Sequence, residues 1–317
     1  MAGADRPAGA RDGQVAVILL HLNTERHTRQ CLDSLGNVTH RPLEVILIDN
    51  GSSDGSGLRI RDDYPEIVFV RLEENLGFSG GNNVGMRLAL ERGAEYLCLL
   101  NNDTVVDPGF LDPLLAGALP AVGVQSCKIY YLGKPDTFWY AGGVLDVGRA
   151  LSSHRGMAET DRGQYDEPGE TAFATGCMMF MARAVVEKVG LLDDRFFAYF
   201  EDADWCLRAR AAGYRVVYTP AAKIWHDVST TTKIDSPVYL YLTMRNKILF
   251  LRAHSTPARI AAEMPYLLYF YGRQFIRLAF KYRDRRKVEA LLYGISDGLA
   301  GRTGRHGEGR VAKVARP

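Results

Sequence analysis

Residues 43–56 read LEVILIDNGSSDGS. A nearly unbroken apolar run of strand length ends at Asp49 and Asn50, and a Gly/Ser-rich turn follows. A half-exposed strand alternates apolar and polar side chains, whereas a continuous run belongs to a strand covered on both faces. The same design recurs along the chain. VAVILL (15–20) precedes a helical pattern from Thr24 to Leu35, and IVFVRL (67–72) leads into a glycine loop and a helix near Asn83–Arg92. YLCLL (96–100) is followed by Asp107-Pro108, the N-cap and N1 pair that predicts a helix start. Strands alternating with helices predict an α/β domain with a mostly parallel central sheet and helices on both faces. Such sheets bind ligands beyond the carboxyl ends of their strands. Polar residues gather at four successive strand ends: Asn23 and Thr24, Asp49 to Asp54, Asn75 to Asn83, and Asn101 to Asp103.

Composition narrows the class. A 317-residue chain that is 47% hydrophobic and 24% charged is long enough for one large domain and an appendage. Its five cysteines are widely spaced, odd in number and mostly inside apolar runs, which predicts reduced core thiols rather than disulfides or structural zinc. No repeat of solenoid period is present. MAGADRPAGARDG (1–13) lacks an apolar h-region and reads as a disordered lead-in, not a signal peptide. Net charge is only +2, but from Arg273 onward 12 Lys and Arg oppose four acids. The first 272 residues therefore carry −6, and the basic end is suited to an anionic surface. No nucleic-acid partner is expected, and no feature reports an oligomeric state.

Each polar cluster has a chemical and a plain reading. In IDNGSSDGS (48–56) a carboxylate can accept from a nucleobase imide or ribose hydroxyl, or can cap a turn. ENLGFSGGNNVG (74–85) opens a helix with Gly77, Gly80 and Gly81, which allow close approach of a phosphate or sugar. A dinucleotide fingerprint would follow strand one, which instead ends in HLNT without glycine. LLNNDTVVDPGF (99–110) sets Asp103 just past a buried strand, where it can hold a divalent ion or form an Asx turn. His226, in KIWHDVSTTT (223–232), gains meaning as a ligand only if Asp103 faces it. RFFAYFEDADWCLRARAAGY (195–214) sets Glu201, Asp202 and Asp204 behind an aromatic run. Asp202 is either a helix N-cap, with Gly213 ending the helix, or a carboxylate kept basic by apolar walls. Trp139 and Trp205 could stack on sugars or fill the core, and Arg245 and Lys247 could meet a diphosphate or lie on a solvated helix face.

The ordered set IDNGSSDGS, NLGFSGGNNVG, LLNNDTVVDPGFL, TGCMMFMAR, FFAYFEDADWCLRARAAGY, WH…S and MRNKILF resembles the bacterial family 2 inverting glycosyltransferases, most of all their rhamnosyltransferase-like branch. The resemblance spans about 15–301 and implies the GT-A nucleotide-diphospho-sugar transferase fold. It implies Asp202 as catalytic base, with Asp103 and His226 as ligands of Mg²⁺ or Mn²⁺. It further implies a nucleotide-sugar pocket of Asn23, Asp49, Asn50, Asp54, Asn75, Gly77, Phe78, Gly80, Gly81, Asn82 and Asn102. Two departures stand out. The metal motif reads Asn101-Asn102-Asp103, with a single carboxylate, and strand one ends in His21-Leu22-Asn23, where an aromatic often precedes the asparagine.

The expected organisation is a GT-A domain over 14–232, a helical region over 233–300 and a basic disordered tail over 301–317. The expected reaction moves a sugar, rhamnose from dTDP-rhamnose first, to a hydroxyl of a cell-surface glycan or lipid-linked acceptor. UDP- or GDP-hexoses and UDP-galactofuranose are the alternative donors. A metal-dependent nucleotidyltransferase or phosphohydrolase, and a non-catalytic sugar-nucleotide binder, are the alternatives by class. The location expected is cytoplasmic, either free or peripheral on the inner face of the cell membrane. In the C-terminal region the uncharged run from Met264 to Gly272 is too short to span a bilayer. Arg273, Arg277 and Lys281 recur beside aromatic residues, as in a helix lying in an anionic membrane interface or packed on protein.

Overall fold

The structure, a computed structural model, describes residues 13–228 and 236–304. All but Gly13 of the expected lead-in, the 232/233 boundary and residues 305–317 of the expected tail lie outside the described residues. The first half alternates as expected: β1 (Val15–His21), α1 (Glu25–Gly36), β2 (Leu43–Asp49), α2 (Ser56–Asp63), β3 (Val68–Arg71), α3 (Gly77–Glu91) and β4 (Tyr96–Asn101). There follow β5 (Thr104–Val106), α4 (Leu111–Ala116), β6 (Val122–Tyr131), β7 (Lys134–Tyr140), β8 (Gly143–Asp146), β9 (Leu151–His154), β10 (Gly169–Glu170) and β11 (Met178–Ala182). Next come α5 (Arg183–Val189), a 3₁₀ turn (Asp194–Phe196), α6 (Glu201–Ala211) and β12 (Arg215–His226). Three helices close the described chain: α7 (Pro237–His254), α8 (Pro257–Ile276), continued by a π turn (Arg277–Lys281), and α9 (Arg285–Leu299).

The main sheet runs β10-β12-β6-β11-β4-β1-β2-β3, with β5 on β12 and β7 on β6. Its β4-β1-β2-β3 block is parallel, and β11 lies antiparallel between β4 and β6. The apolar runs are sealed on both faces: Val15 to Leu19 are fully buried, with Val17 and Leu19 in one core cluster and Ala16 and Ile18 in the other. All five cysteines are buried and unpaired, as their apolar settings predicted.

Four boundaries differ from the sequence reading. α3 starts at Gly77, inside the glycine loop, because Gly81 and Gly85 let it lie against Leu20 and Ile18 of β1. Asp107-Pro108 makes a turn, with Asp107 accepting from the Gly109 N–H at 2.9 Å, and α4 begins only at Leu111. The hairpin expected around 138–148 lies one strand later, between β8 and β9. Asp202 is not an N-cap; α6 starts at Glu201, with Phe200 in the cap position. α7 and α8 do begin at textual stops of the expected chemistry: Ser236-Pro237 and Thr256-Pro257, whose hydroxyls accept from the N–H groups of Tyr239 and Arg259.

Candidate active site

The short segment Thr175-Gly176-Cys177, entering β11, ties the polar strand ends together. The Gly176 N–H donates to Asp202 Oδ2 at 2.9 Å, and the Cys177 carbonyl accepts from the Asn101 N–H at 2.9 Å. The proposed base and the proposed metal motif thus hang from adjacent residues. A side chain at Gly176 would strike the Phe78 ring at 3.1 Å, with Asp202 Oδ2 at 3.7 Å, so the glycine loop also converges here. The sequence reading quoted TGCMMFMAR without giving Gly176 or Cys177 a task.

Asp202 is half-buried in the first turn of α6. Its Oδ1 accepts from the Ala203 N–H at 2.7 Å. Burial pushes its pKa above the usual carboxylate range, and the N–H groups of Gly176 and Ala203 offset part of that rise. The result is a half-buried aspartate whose carboxylate is more basic than an ordinary one. Glu201, the rival candidate, is only 5% exposed. Desolvation and the neighbouring Asp202 push its pKa well up, and its burial shuts it away from an acceptor.

The backbone leading to Asp202 is unusual. Phe197, Tyr199 and Phe200 have φ of 66°, 73° and 77°, a left-handed region that costs non-glycine residues roughly 1–3 kcal/mol each. Their rings are anchored on α7 rather than free: Tyr199 meets Tyr239 edge-on at 5.0 Å, and Phe200 lies 5.3 Å from Phe250.

At the other end of the segment, antiparallel pairing of β5 and β12 sets His226 opposite Thr104. His226 Nε2 consequently lies 3.0 Å from Asp103 Oδ1, with both side chains nearly inaccessible. Burial alone would keep this imidazole neutral, but Cys177 and the Asp103 carboxylate reverse the effect and raise its pKa to about 10, with a proton that a divalent ion would displace. The pair fits a divalent ion. Ligands in cis positions on an ion with ~2.1 Å bonds stand ~3 Å apart. His226 Nδ1 is buried and has no hydrogen-bond partner among the described residues. Among those residues no group of three or more His, Cys, Asp or Glu side chains forms a metal cage. An ion here would complete its shell with substrate oxygens and water, the habit of Mg²⁺ at diphosphates. Trp139 packs edge-on against His226 at 4.5 Å, and Trp205 is fully buried with its Nε1–H on the Gly190 carbonyl. Neither tryptophan is the free sugar platform considered from the sequence.

A buried polar chain underlies the donor side. Asn102 donates to Thr24 and Thr28, Thr28 meets His21 at 2.8 Å, and His21 meets Ser56 at 2.7 Å. His21, at the end of strand one, is therefore a buried link, and burial lowers its pKa. Asn23 fixes the following loop by accepting from the N–H groups of Ser53 and Asp54. Asp49 is 1% exposed, with Oδ1 on the Ser52 N–H and Oδ2 3.7 Å from Arg71. It shapes the loop and presents no open face, whereas Asp54 is exposed. Asn50 bridges Asn75 and the Gly77 carbonyl, and Asn82 donates to the Phe78 carbonyl. Gly77 is required by its close approach to Phe197 and Gly81 by packing on Leu20, so protein contacts account for both. Gly80 likewise faces its own Leu76.

Comparison with known proteins bears on this geometry. A family model described as Glycosyl transferase family 2 matches residues 16–190. The chain belongs to that family. An N-acetylglucosaminyl-diphospho-decaprenol L-rhamnosyltransferase of Mycobacterium tuberculosis is 28% identical over 244 residues, 71% of this chain and 80% of that protein. The dTDP-rhamnosyl transferase RfbF of Shigella flexneri is 24% identical over 227 residues, 67% of this chain and 72% of that protein. In fold, the mannosyltransferase PcManGT from Pyrobaculum calidifontis, solved with GDP-Man and Mn²⁺, gives a TM-score of 0.54 at 16% identity, covering 93% of this chain and 90% of that one. The GT-A architecture expected for a family 2 glycosyltransferase is the one observed.

Proposed function

We propose that this family 2 glycosyltransferase is an inverting enzyme that moves rhamnose from dTDP-rhamnose to a hydroxyl of a cell-surface glycan or lipid-linked acceptor. The observation that carries the reading is the half-buried, basic Asp202 held one residue away, through Gly176 and Cys177, from the strand end bearing Asp103 and His226. The acceptor oxygen attacks the anomeric carbon in line, and Asp202 takes its proton. The bond from that carbon to the diphosphate oxygen breaks, leaving its electron pair on the diphosphate. One displacement inverts the anomeric centre. Asp103 and His226 would hold Mg²⁺ or Mn²⁺, which when bound supplies Lewis-acid neutralisation of the leaving diphosphate. Asn23, Asp49 and Asp54 build the nucleobase side, with Asn50, Asn75, Gly77, Phe78, Asn82 and Asn102 framing the rest of the donor pocket. The rhamnose assignment draws on the names of the Mycobacterium and Shigella relatives. A two-metal nucleotidyltransferase or phosphohydrolase is disfavoured, since such sites are carboxylate-rich and Asp103 is the one carboxylate in its motif.

The test is nucleoside-diphosphate release and product configuration across a donor panel, for wild type and Asp202→Asn. The change is isosteric and should slow transfer by about 10²–10⁴-fold while donor binding persists. Transfer by Asp202→Asn at near wild-type rate, or a retained anomeric configuration, would overturn the mechanism.

The helical region supplies the membrane part of the proposal. No helix among the described residues is long and apolar enough to cross a membrane. α8 and its π turn expose Leu268, Tyr269, Ile276 and Phe280, the last 71% accessible, beside Arg273, Arg277 and Lys281. Apolar burial and basic charge on one face suit an anionic bilayer surface, where a lipid-linked acceptor would reside. Flotation with phosphatidylglycerol vesicles at low salt should carry the protein upward, and Phe280→Glu with Ile276→Glu should abolish it. Absence of wild-type binding would sink this part alone.

A further inference from the structure

The polar triplet Arg245-Asn246-Lys247 lies in the middle of α7, where a solvated helix face was one expectation. Instead Arg245 and Asn246 are fully buried and Lys247 is 3% exposed. Asn246 Nδ2 reaches the carbonyls of Phe196, Ala198 and Tyr199 at 2.9, 2.7 and 2.8 Å. Its Oδ1 accepts from Arg245 Nε–H at 2.9 Å, which turns the amide nitrogen toward those carbonyls. Arg245 Nη2 adds a second donor to the Phe196 carbonyl at 2.7 Å.

These are the carbonyls of the strained segment that ends at the cap of α6, next to Asp202. Left-handed φ at Phe197, Tyr199 and Phe200 turns the carbonyls inward, and such conformations persist only where the surroundings over-determine them. The two side chains supply that determination.

Stability does not account for Arg245. Arg245 forms no ion pair among the described residues: Asp297, the acid whose charge it feels, is taken up by Tyr241 and Arg302, and its Nη1 has no hydrogen-bond partner there. Its support is the Tyr241 ring at 5.6 Å and the carbonyls already named. A buried cation held away from its nearest acid is a cost to the folded state. What Arg245 does make is the contact that shapes the loop.

We infer that Arg245 and Asn246 are positioning residues for the transfer step: they hold backbone 196–200 in the one shape that presents Asp202 to the acceptor hydroxyl. The inference goes beyond the proposed function but rests on its reading of Asp202 as the base. Through it the C-terminal helix becomes part of the machinery rather than an appendage.

The test is a double-mutant cycle in the full chain, with dTDP-rhamnose or whichever sugar nucleotide wild type turns over in the panel above. Asn246→Ala should lower kcat about 10–100-fold, the cost of a misplacement near 1 Å, with donor KM and nucleoside-diphosphate affinity held. The double variant Asp202→Asn/Asn246→Ala should be no slower than Asp202→Asn alone, because a residue acting only through the base has nothing left to lose. A purely structural role would lower kcat in both backgrounds. If Asn246→Ala does not fold, Arg245→Lys keeps the charge, removes the Nε–H on Asn246 and must show the same pattern. A folded Asn246→Ala with wild-type kcat, or losses that multiply in the double variant, overturns the inference while leaving Asp202 intact. Near wild-type transfer by Asp202→Asn instead removes the base reading itself.

Discussion

Gly77→Ala tests the contact between the glycine loop and the loop before Asp202. Gly77 has φ +75°, and a Cβ there would fall 2.4 Å from the Phe197 carbonyl oxygen and 2.5 Å from its ring. Ordinary contact is ~3.5 Å, so the two backbones would have to part by about 1 Å. They are also joined directly, since the Ser79 N–H donates to the same Phe197 carbonyl at 3.1 Å. Two costs follow. The left-handed conformation alone costs an alanine about 1–2 kcal/mol. The displacement moves the strained loop before Asp202 by an amount that can slow a positioned reaction about 10²-fold. Gly213→Ala separates the two effects, because Gly213 has φ +90° and nothing within 4 Å of its Cβ position. Urea denaturation should therefore show both variants destabilised by a similar conformational cost, with Gly77→Ala the worse. Transfer kinetics should show the rate loss in Gly77→Ala alone. If Gly77→Ala melts and turns over like wild type, the glycine loop and the base loop are not in contact and the site described above is wrong.

Chelation should abolish wild-type transfer. Asp103→Ala and His226→Ala should lose most activity yet keep wild-type far-UV circular dichroism, and neither should gain thermal stability from Mn²⁺ with dTDP as wild type does; full activity in EDTA refutes the metal role. The raised pKa of Asp202 means that its active, deprotonated form is lost as pH falls through a value above the usual carboxylate range. The acid limb of kcat/KM should lie there, and a profile flat down to about pH 4 would contradict it. Lys247 is buried against the Phe270 ring at 4.0 Å, and burial lowers its pKa to about 8. A lysine so depressed is a cost to the folded state at neutral pH, relieved as pH rises from about 8 toward its unfolded value of about 10.5. Lys247→Met should thus be more stable at pH 7 by on the order of 1–3 kcal/mol, an advantage that shrinks above pH 8; a destabilised variant would show the cation contact to be the larger effect.

The parallel block could be read from residues because strands sealed on both faces carry no alternation to confuse, and each ends where polar residues begin. α3 resisted for the opposite reason. GFSGGNN is poor helix-forming sequence, and it is helical only because its small residues allow contact with β1, a tertiary gain that propensity does not contain. The site chemistry followed the ordered motifs, but Gly176 and Cys177 act through backbone groups, which leave no side-chain signature. Arg245 and Asn246 had a signal that was missed. Three consecutive helical residues fan over about 200°, so an Arg-Asn-Lys run inside an otherwise apolar helix cannot lie wholly on a solvent face. At least one member had to find buried partners. Trp139 and Trp205 illustrate how little an isolated tryptophan says, since both are absorbed by neighbours distant in the chain.

β12 pairs with β6 in two segments, Thr219 against Cys127 and then Lys223 against Lys128, so that Pro220, Ala221 and Ala222 are looped out between them. The looped residues act as a spacer between the core half of the strand and the half that carries His226. Pro220 and Ala222 are buried, so the spacer is packed rather than free, and Ile224, Trp225 and His226 beyond it keep step with β5. One residue added between Lys223 and His226 cannot be absorbed, because side chains alternate faces along a strand and the imidazole would turn away from Asp103. The spacing from Lys223 to His226 is therefore what delivers the imidazole to Asp103.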